Sequence, residues 1–149
     1  MKKKNIAVLI SGNGTNLQSI IDHIKKGKLK CNLAVVISNK ADAYGLKRAE
    51  KAKIPAYFID HKDIPREEHE KKIIEILKKY KVDLVVLAGY MRIITPYFIR
   101  QYKNRIINIH PALLPSFPGT DGYGDTWKYG CKVGGCTIHF VDEGIDTGP

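Results

Sequence analysis

Cysteine is scarce in this chain, and its three copies rule out more than they offer. Cys31, Cys131 and Cys136 are an odd set with no Cys-x-x-Cys spacing. Neither a disulfide framework nor a zinc site is expected, and reduced thiols in a cytoplasmic protein are the natural reading. Cys31 and Cys136 lie in apolar, strand-like runs and read as core filler. No apolar run is long enough to span a bilayer. The basic opening Met1-Lys2-Lys3-Lys4 resembles the head of a secretion signal, but the apolar stretch behind it, Ile6 to Ile10, is too short and leads into a polar turn. Acidic residues are also in deficit, 15 against 25 basic, for a net charge of +10. That surplus suits nucleic acid, a membrane surface or a small polyanion without choosing among them. The lysine pairs at 25–26, 71–72 and 78–79 read as solvated helix faces. Internal repeats and low-complexity segments are absent, and 149 residues fit one domain around one core.

What is present alternates. Ile6 to Ile10 reads as a buried strand, and Leu17, Ile20, Ile21 and Ile24 recur at helical spacing up to Gly27. Leu33 to Ile37 is a second strand. A helix with Leu46, Ala49 and Ala52 stops before Pro55, and Ala56 to Ile59 is a third strand. Pro65 suits the first position of a helix whose buried side carries Ile73, Ile74, Leu77 and Tyr80, with Glu67–Lys71 and Glu68–Lys72 as i,i+4 pairs. Leu84 to Ala88 and Arg105 to Ile109 are further strands. Residues 111–129 read as a long loop with room for one helical turn, and Gly135 to Val141 as a last strand. Near-continuous apolar strands separated by helices predict an α/β domain, a mostly parallel sheet covered on both faces.

Two segments carry chemistry. The turn Ser11-Gly12-Asn13-Gly14-Thr15-Asn16 joins the first strand to the first helix. Its glycines let bare N–H groups gather at a helix start, where an anion is favoured. A dinucleotide fingerprint would need a third glycine where Leu17 stands, and an acid where Ser38-Asn39-Lys40 appears. A Walker A loop would need Gly-Lys-Ser/Thr. The turn therefore suits a single phosphate, or is a plain turn capped by Thr15 or Asn13. In Asn108-Ile109-His110-Pro111-Ala112-Leu113-Leu114-Pro115, an amide and an imidazole stand two positions apart on an extended segment, so both face one small volume. A neutral donor beside a titratable one suits an oxygen that gains charge during acyl transfer. His23, His61 and His69 read as ordinary surface residues, and His139 as a satisfied structural histidine.

Five segments, in order, resemble glycinamide ribonucleotide formyltransferase, a folate-dependent family of purine synthesis. They are Ile10-Ser11-Gly12-Asn13-Gly14-Thr15-Asn16-Leu17, Ser38-Asn39-Lys40-Ala41-Asp42-Ala43, Leu87-Ala88-Gly89-Tyr90-Met91-Arg92-Ile93, the Asn108 to Pro115 segment, and His139 to Pro149. The resemblance covers essentially the whole chain. It implies a Rossmann-like formyltransferase fold, with the substrate phosphate on Gly14, Thr15 and Asn16. It places 10-formyltetrahydrofolate, as cosubstrate, along Met91, Arg92, Ile93 and Ile94, with Arg66 and Asn108 in reach, and against Val141, Asp142, Glu143, Gly144 and the loop to Asp146. Asn108, His110 and Asp146 become the catalytic set. On the residues alone, Asp142 and Glu143 read equally as turn residues. The implied partners are small molecules, with no metal, nucleic acid or membrane.

In that chemistry a primary amine attacks the formyl carbon and negative charge collects on the formyl oxygen. Asn108 and protonated His110 would donate to that oxygen. Asp146 would hold the ring charged and help pass the amine's proton, through water, to the leaving nitrogen.

Two departures stand out. Asp121 takes the place of the family's usual histidine after Pro118-Gly119-Thr120. Family members also normally continue beyond Pro149 into a further strand and helix. A single domain over residues 1–149 without them would expose apolar surface and a sheet edge, which a homodimer would cover. Other readings are a different folate-dependent formyl enzyme (a methionyl-tRNA formyltransferase core, a sugar-nucleotide formyltransferase or a formyltetrahydrofolate deformylase) or a non-catalytic folate- or nucleotide-binding module.

Overall fold

Alternate residues of the central strands bury themselves in two different cores, which is how a sheet covered on both faces arises. The computed structural model describes residues 2–149, so Met1, where the basic opening begins, lies outside the described residues. The elements run β1 (Lys4–Ile10), α1 (Thr15–Lys25), β2 (Cys31–Ser38), α2 (Tyr44–Lys51), β3 (Ala56–Phe58), α3 (Arg66–Lys79), β4 (Leu84–Leu87), α4 (Pro96–Gln101), β5 (Ile106–His110), α5 (Gly122–Tyr129) and β6 (Thr137–Phe140). Ala7, Leu9, Val35, Ile37, Val85, Leu87 and Ile106 pack with Ile73 and Leu77 of α3 and Phe98 of α4. On the opposite face Ile6, Val8, Ile10, Val36 and Val86 pack with Leu17 and Ile21 of α1 and Ala49 of α2.

The sheet order is β3-β2-β1-β4-β5-β6. All neighbours pair in parallel except β5 and β6, which are antiparallel. The chain thus winds outward from β1 in one direction, then returns to start β4 on its other side. The carboxyl ends of β1 and β4 diverge at this reversal and leave a crevice, the usual ligand position in open α/β sheets.

Several expectations need correction. Helix α4 was not foreseen, although Thr95 accepts from the Phe98 amide and Pro96 follows it, a recognisable helix start. Residues 111–129 are not mainly loop. Helix α5 fills 122–129, and the Asp121 side chain caps it by accepting from the Gly124 amide at 3.1 Å. Pro65 is the residue before α3 rather than its first. The close pair on that helix is Lys71–Glu68 at 2.6 Å, an i,i+3 contact in place of the expected i,i+4 pairs. Cys136 is exposed and precedes β6, so it fills no core. His69 is fully buried rather than at the surface; its Nε2 donates to the Ile59 carbonyl at 3.0 Å and its Nδ1 has no partner among the described residues.

Candidate active site

The site begins where β1 ends. After Ile10 the chain turns through Gly14, which holds φ +74°, a left-handed conformation that suits glycine. A Cβ at that position would stand 2.7 Å from the Gly45 Cα of α2, so close packing also demands a bare α-carbon. No side chain caps α1, which sets aside Thr15 and Asn13 as capping residues. The first amides of α1 therefore keep their unpaired donors. They border a cleft of about 330 Å³ lined by Ser11 to Asn16, Lys40, Ala88, Gly89 and Met91. The Ser11 hydroxyl donates to Asn39 Oδ1 at 2.6 Å and accepts from the Met91 amide at 2.8 Å, tying the ends of β1, β2 and β4 together at the crevice.

One strand further on, β5 carries Asn108 and His110, and antiparallel pairing sets His139 opposite Asn108 and Thr137 opposite His110. Directly opposed residues share a face, so four polar side chains gather on one side of this strand pair. Asn108 Nδ2 donates to His139 Nε2 at 3.3 Å, while His139 Nδ1 lies 3.1 Å from the Phe140 carbonyl. A carbonyl can only accept, so the proton belongs on Nδ1 and Nε2 is the bare acceptor.

Asp146 closes the group from the loop after β6, at φ +55°. Its Oδ2 lies 3.4 Å from His110 Nδ1 and accepts from the Gly119 amide at 2.8 Å; its Oδ1 lies 3.6 Å from His139 Nε2. The side chains of His110 and Asp146 are 2% and 12% exposed, so their attraction acts largely away from bulk water. His110 Nε2 donates to the Phe117 carbonyl at 2.8 Å. With acceptors against both ring nitrogens, a doubly protonated ring satisfies both.

Asn108, His110 and Asp146 therefore share one cluster, joined through His139. His139 is satisfied, as expected, but it belongs to the cluster and not to the background. Met91 and Ile93 are exposed apolar side chains beside the crevice, whereas Ile94 is buried in the core. Arg92 is half-buried, and Arg66 is exposed at the start of α3. Val141 packs against the core. Asp142 accepts from the Gly144 amide and the Thr147 hydroxyl, so it holds its own turn, and Glu143 lies 4.0 Å from Arg100.

The pattern of the formyl transferase family matches residues 4–149. The chain belongs to the formyl transferase family. Within it, the chain is 49% identical over 146 residues to phosphoribosylglycinamide formyltransferase of Haemophilus influenzae, covering 97% of this chain and 69% of that protein. It is 47% identical over 149 residues to the trifunctional purine biosynthetic protein adenosine-3 of Drosophila pseudoobscura pseudoobscura, covering 98% of this chain but only 11% of that much longer one. The crystal structure of glycinamide ribonucleotide transformylase 1 from Symbiobacterium toebii superposes with a TM-score of 0.95 at 48% identity, over 99% of this chain and 70% of that one. This formyl transferase thus has the fold that its sequence motifs implied.

Proposed function

We propose that this chain transfers a formyl group from 10-formyltetrahydrofolate to the primary amine of glycinamide ribonucleotide, acting as one domain over the residues described. The observation that carries this reading is the polar face of β5 and β6, with Asp146 behind it, one strand from an uncapped glycine turn. The turn offers amides to a phosphate at Gly14, Thr15 and Asn16. The polar face offers donors to a carbonyl oxygen that gains charge.

Within that reading, Asn108 is the donor nearer to hand, because its amide leaves only a 3.3 Å contact with His139. His110 must release the Phe117 carbonyl before Nε2 can reach substrate; until then its charge acts through space. Asp146 compensates that charge and, through the Gly119 amide, holds the loop that carries Phe117. The apolar side chains of Met91, Ile93 and Ile145, each more than half exposed, suit the flat ring of a folate, and Arg92 and Arg66 suit its carboxylates. The names of the relatives support the same substrates.

The test is steady-state formyl transfer with and without glycinamide ribonucleotide. Formylated product only when the amine is present is the expected result. Formate release without it would favour a deformylase, and binding with no turnover would favour a non-catalytic module.

A further inference from the structure

A phosphate site built from backbone amides fails if oxygen acceptors share it, since each one repels the anion. Asn13, the residue before Gly14, brings two such oxygens to the turn. Both are taken by Arg48, which reaches across from α2. Its Nε donates to the Asn13 carbonyl at 2.8 Å, its Nη2 to Asn13 Oδ1 at 3.1 Å, and its Nη1 to Gln18 Oε1 of α1 at 3.3 Å. The Tyr44 ring lies 4.9 Å from the guanidinium carbon and keeps the fork in place. The Gly45 amide also donates to the Gly12 carbonyl at 3.1 Å, so α2 grips the turn on both sides of Asn13.

We infer that Arg48 is a positioning residue for the phosphate turn: it holds both Asn13 oxygens so that amide donors, and not acceptors, meet the substrate's phosphate. This rests on the reading that Gly14, Thr15 and Asn16 bind that phosphate. Arg48 itself does not line the cleft of the turn, so its effect passes through Asn13. A lysine cannot replace it, because one ammonium lacks the planar fork that engages a carbonyl and an amide oxygen at once.

The experiment uses Arg48→Met and Arg48→Lys. Binding of ribose 5-phosphate is followed by the amide shifts of Gly14 and Thr15, and kinetics are run with the phosphorylated acceptor and with its dephosphorylated ribonucleoside. Both variants should bind ribose 5-phosphate about tenfold more weakly. KM for the phosphorylated acceptor should rise by a similar factor, with kcat, the folate KM and kcat/KM for the dephosphorylated acceptor unchanged. Unaltered binding in either variant overturns the inference. So does a loss that falls equally on both acceptors, the mark of a general loosening of α2. If the unsubstituted protein shows no amide shifts with ribose 5-phosphate, the phosphate reading itself is wrong, and that outcome is distinct from the other two.

Discussion

Asp146 performs two separable tasks, and substitution can divide them. Its charge faces His110 Nδ1 at 3.4 Å, and one of its oxygens accepts from the Gly119 amide at 2.8 Å. Asp146→Asn keeps an oxygen for Gly119 but removes the charge, while Asp146→Ala removes both. Leaving a mostly buried backbone amide without a partner costs about 1–3 kcal/mol. The alanine variant should therefore lose about that much stability in urea unfolding, and the asparagine variant much less. Turnover should follow a different rule. If the carboxylate sustains a charged ring for the transfer, both variants should lose about 10²–10⁴ in kcat, the range for a positioned acid–base group. Substrate KM values should change little, because neither the phosphate turn nor the apolar lip is touched. Formyl transfer measured under saturating amine decides the matter. An asparagine variant with the parental kcat would remove the charge from the mechanism, whatever happens to the loop.

Four further outcomes are expected. Asn108→Ala should lower kcat by about 10²–10³ with the melting temperature nearly intact, the usual loss for one oxyanion donor. Gly14→Ala forces a Cβ to 2.7 Å from Gly45 Cα at a positive φ, so it should destabilise the chain by at least about 1–2 kcal/mol and raise KM for the phosphorylated acceptor. Burial pushes the carboxyl of Glu70 above its ordinary value, although it accepts from the amide and hydroxyl of Thr95. The folded state then holds this proton more tightly than the unfolded one, and stability from this group falls as pH rises from about 4.5 through the higher folded value; Glu70→Gln should flatten that slope in unfolding curves. Burial drives His69 the other way, so its contribution is lost as pH falls below about 6.5, and His69→Leu should remove that acid-side decline.

The parallel part of the domain was legible because its signals are local. Strands β1, β2 and β4 are runs of apolar residues, and the amphipathic spacing on α1 needs no knowledge of distant partners. His69 was legible too, though it was taken as a surface residue: it precedes Ile73 by four positions and Leu77 by eight, which puts it on the buried stripe of α3. Asp121 shows the opposite case. Its departure from the family pattern reads as a change of charge in a loop, yet its side chain serves the backbone of α5.

The catalytic cluster depends on information that no local window holds. Asn108 and His110 share a face by strand geometry alone, but the partner of Asn108 comes from a residue 31 positions later, across an antiparallel pair. Side chains alternate along a strand, so a slip of β6 by one residue would turn His139 away and present Ile138 or Phe140 to the site. Thr137 opposes that slip: its hydroxyl donates to the Ala112 carbonyl at 2.7 Å and accepts from the Leu114 amide at 3.0 Å. Opposite His110, one threonine thus fastens the loop after β5 to the start of β6. The register that sets His139 beside Asn108 also delivers the chain to Asp146, so a residue remote from the chemistry fixes the geometry on which the transfer relies.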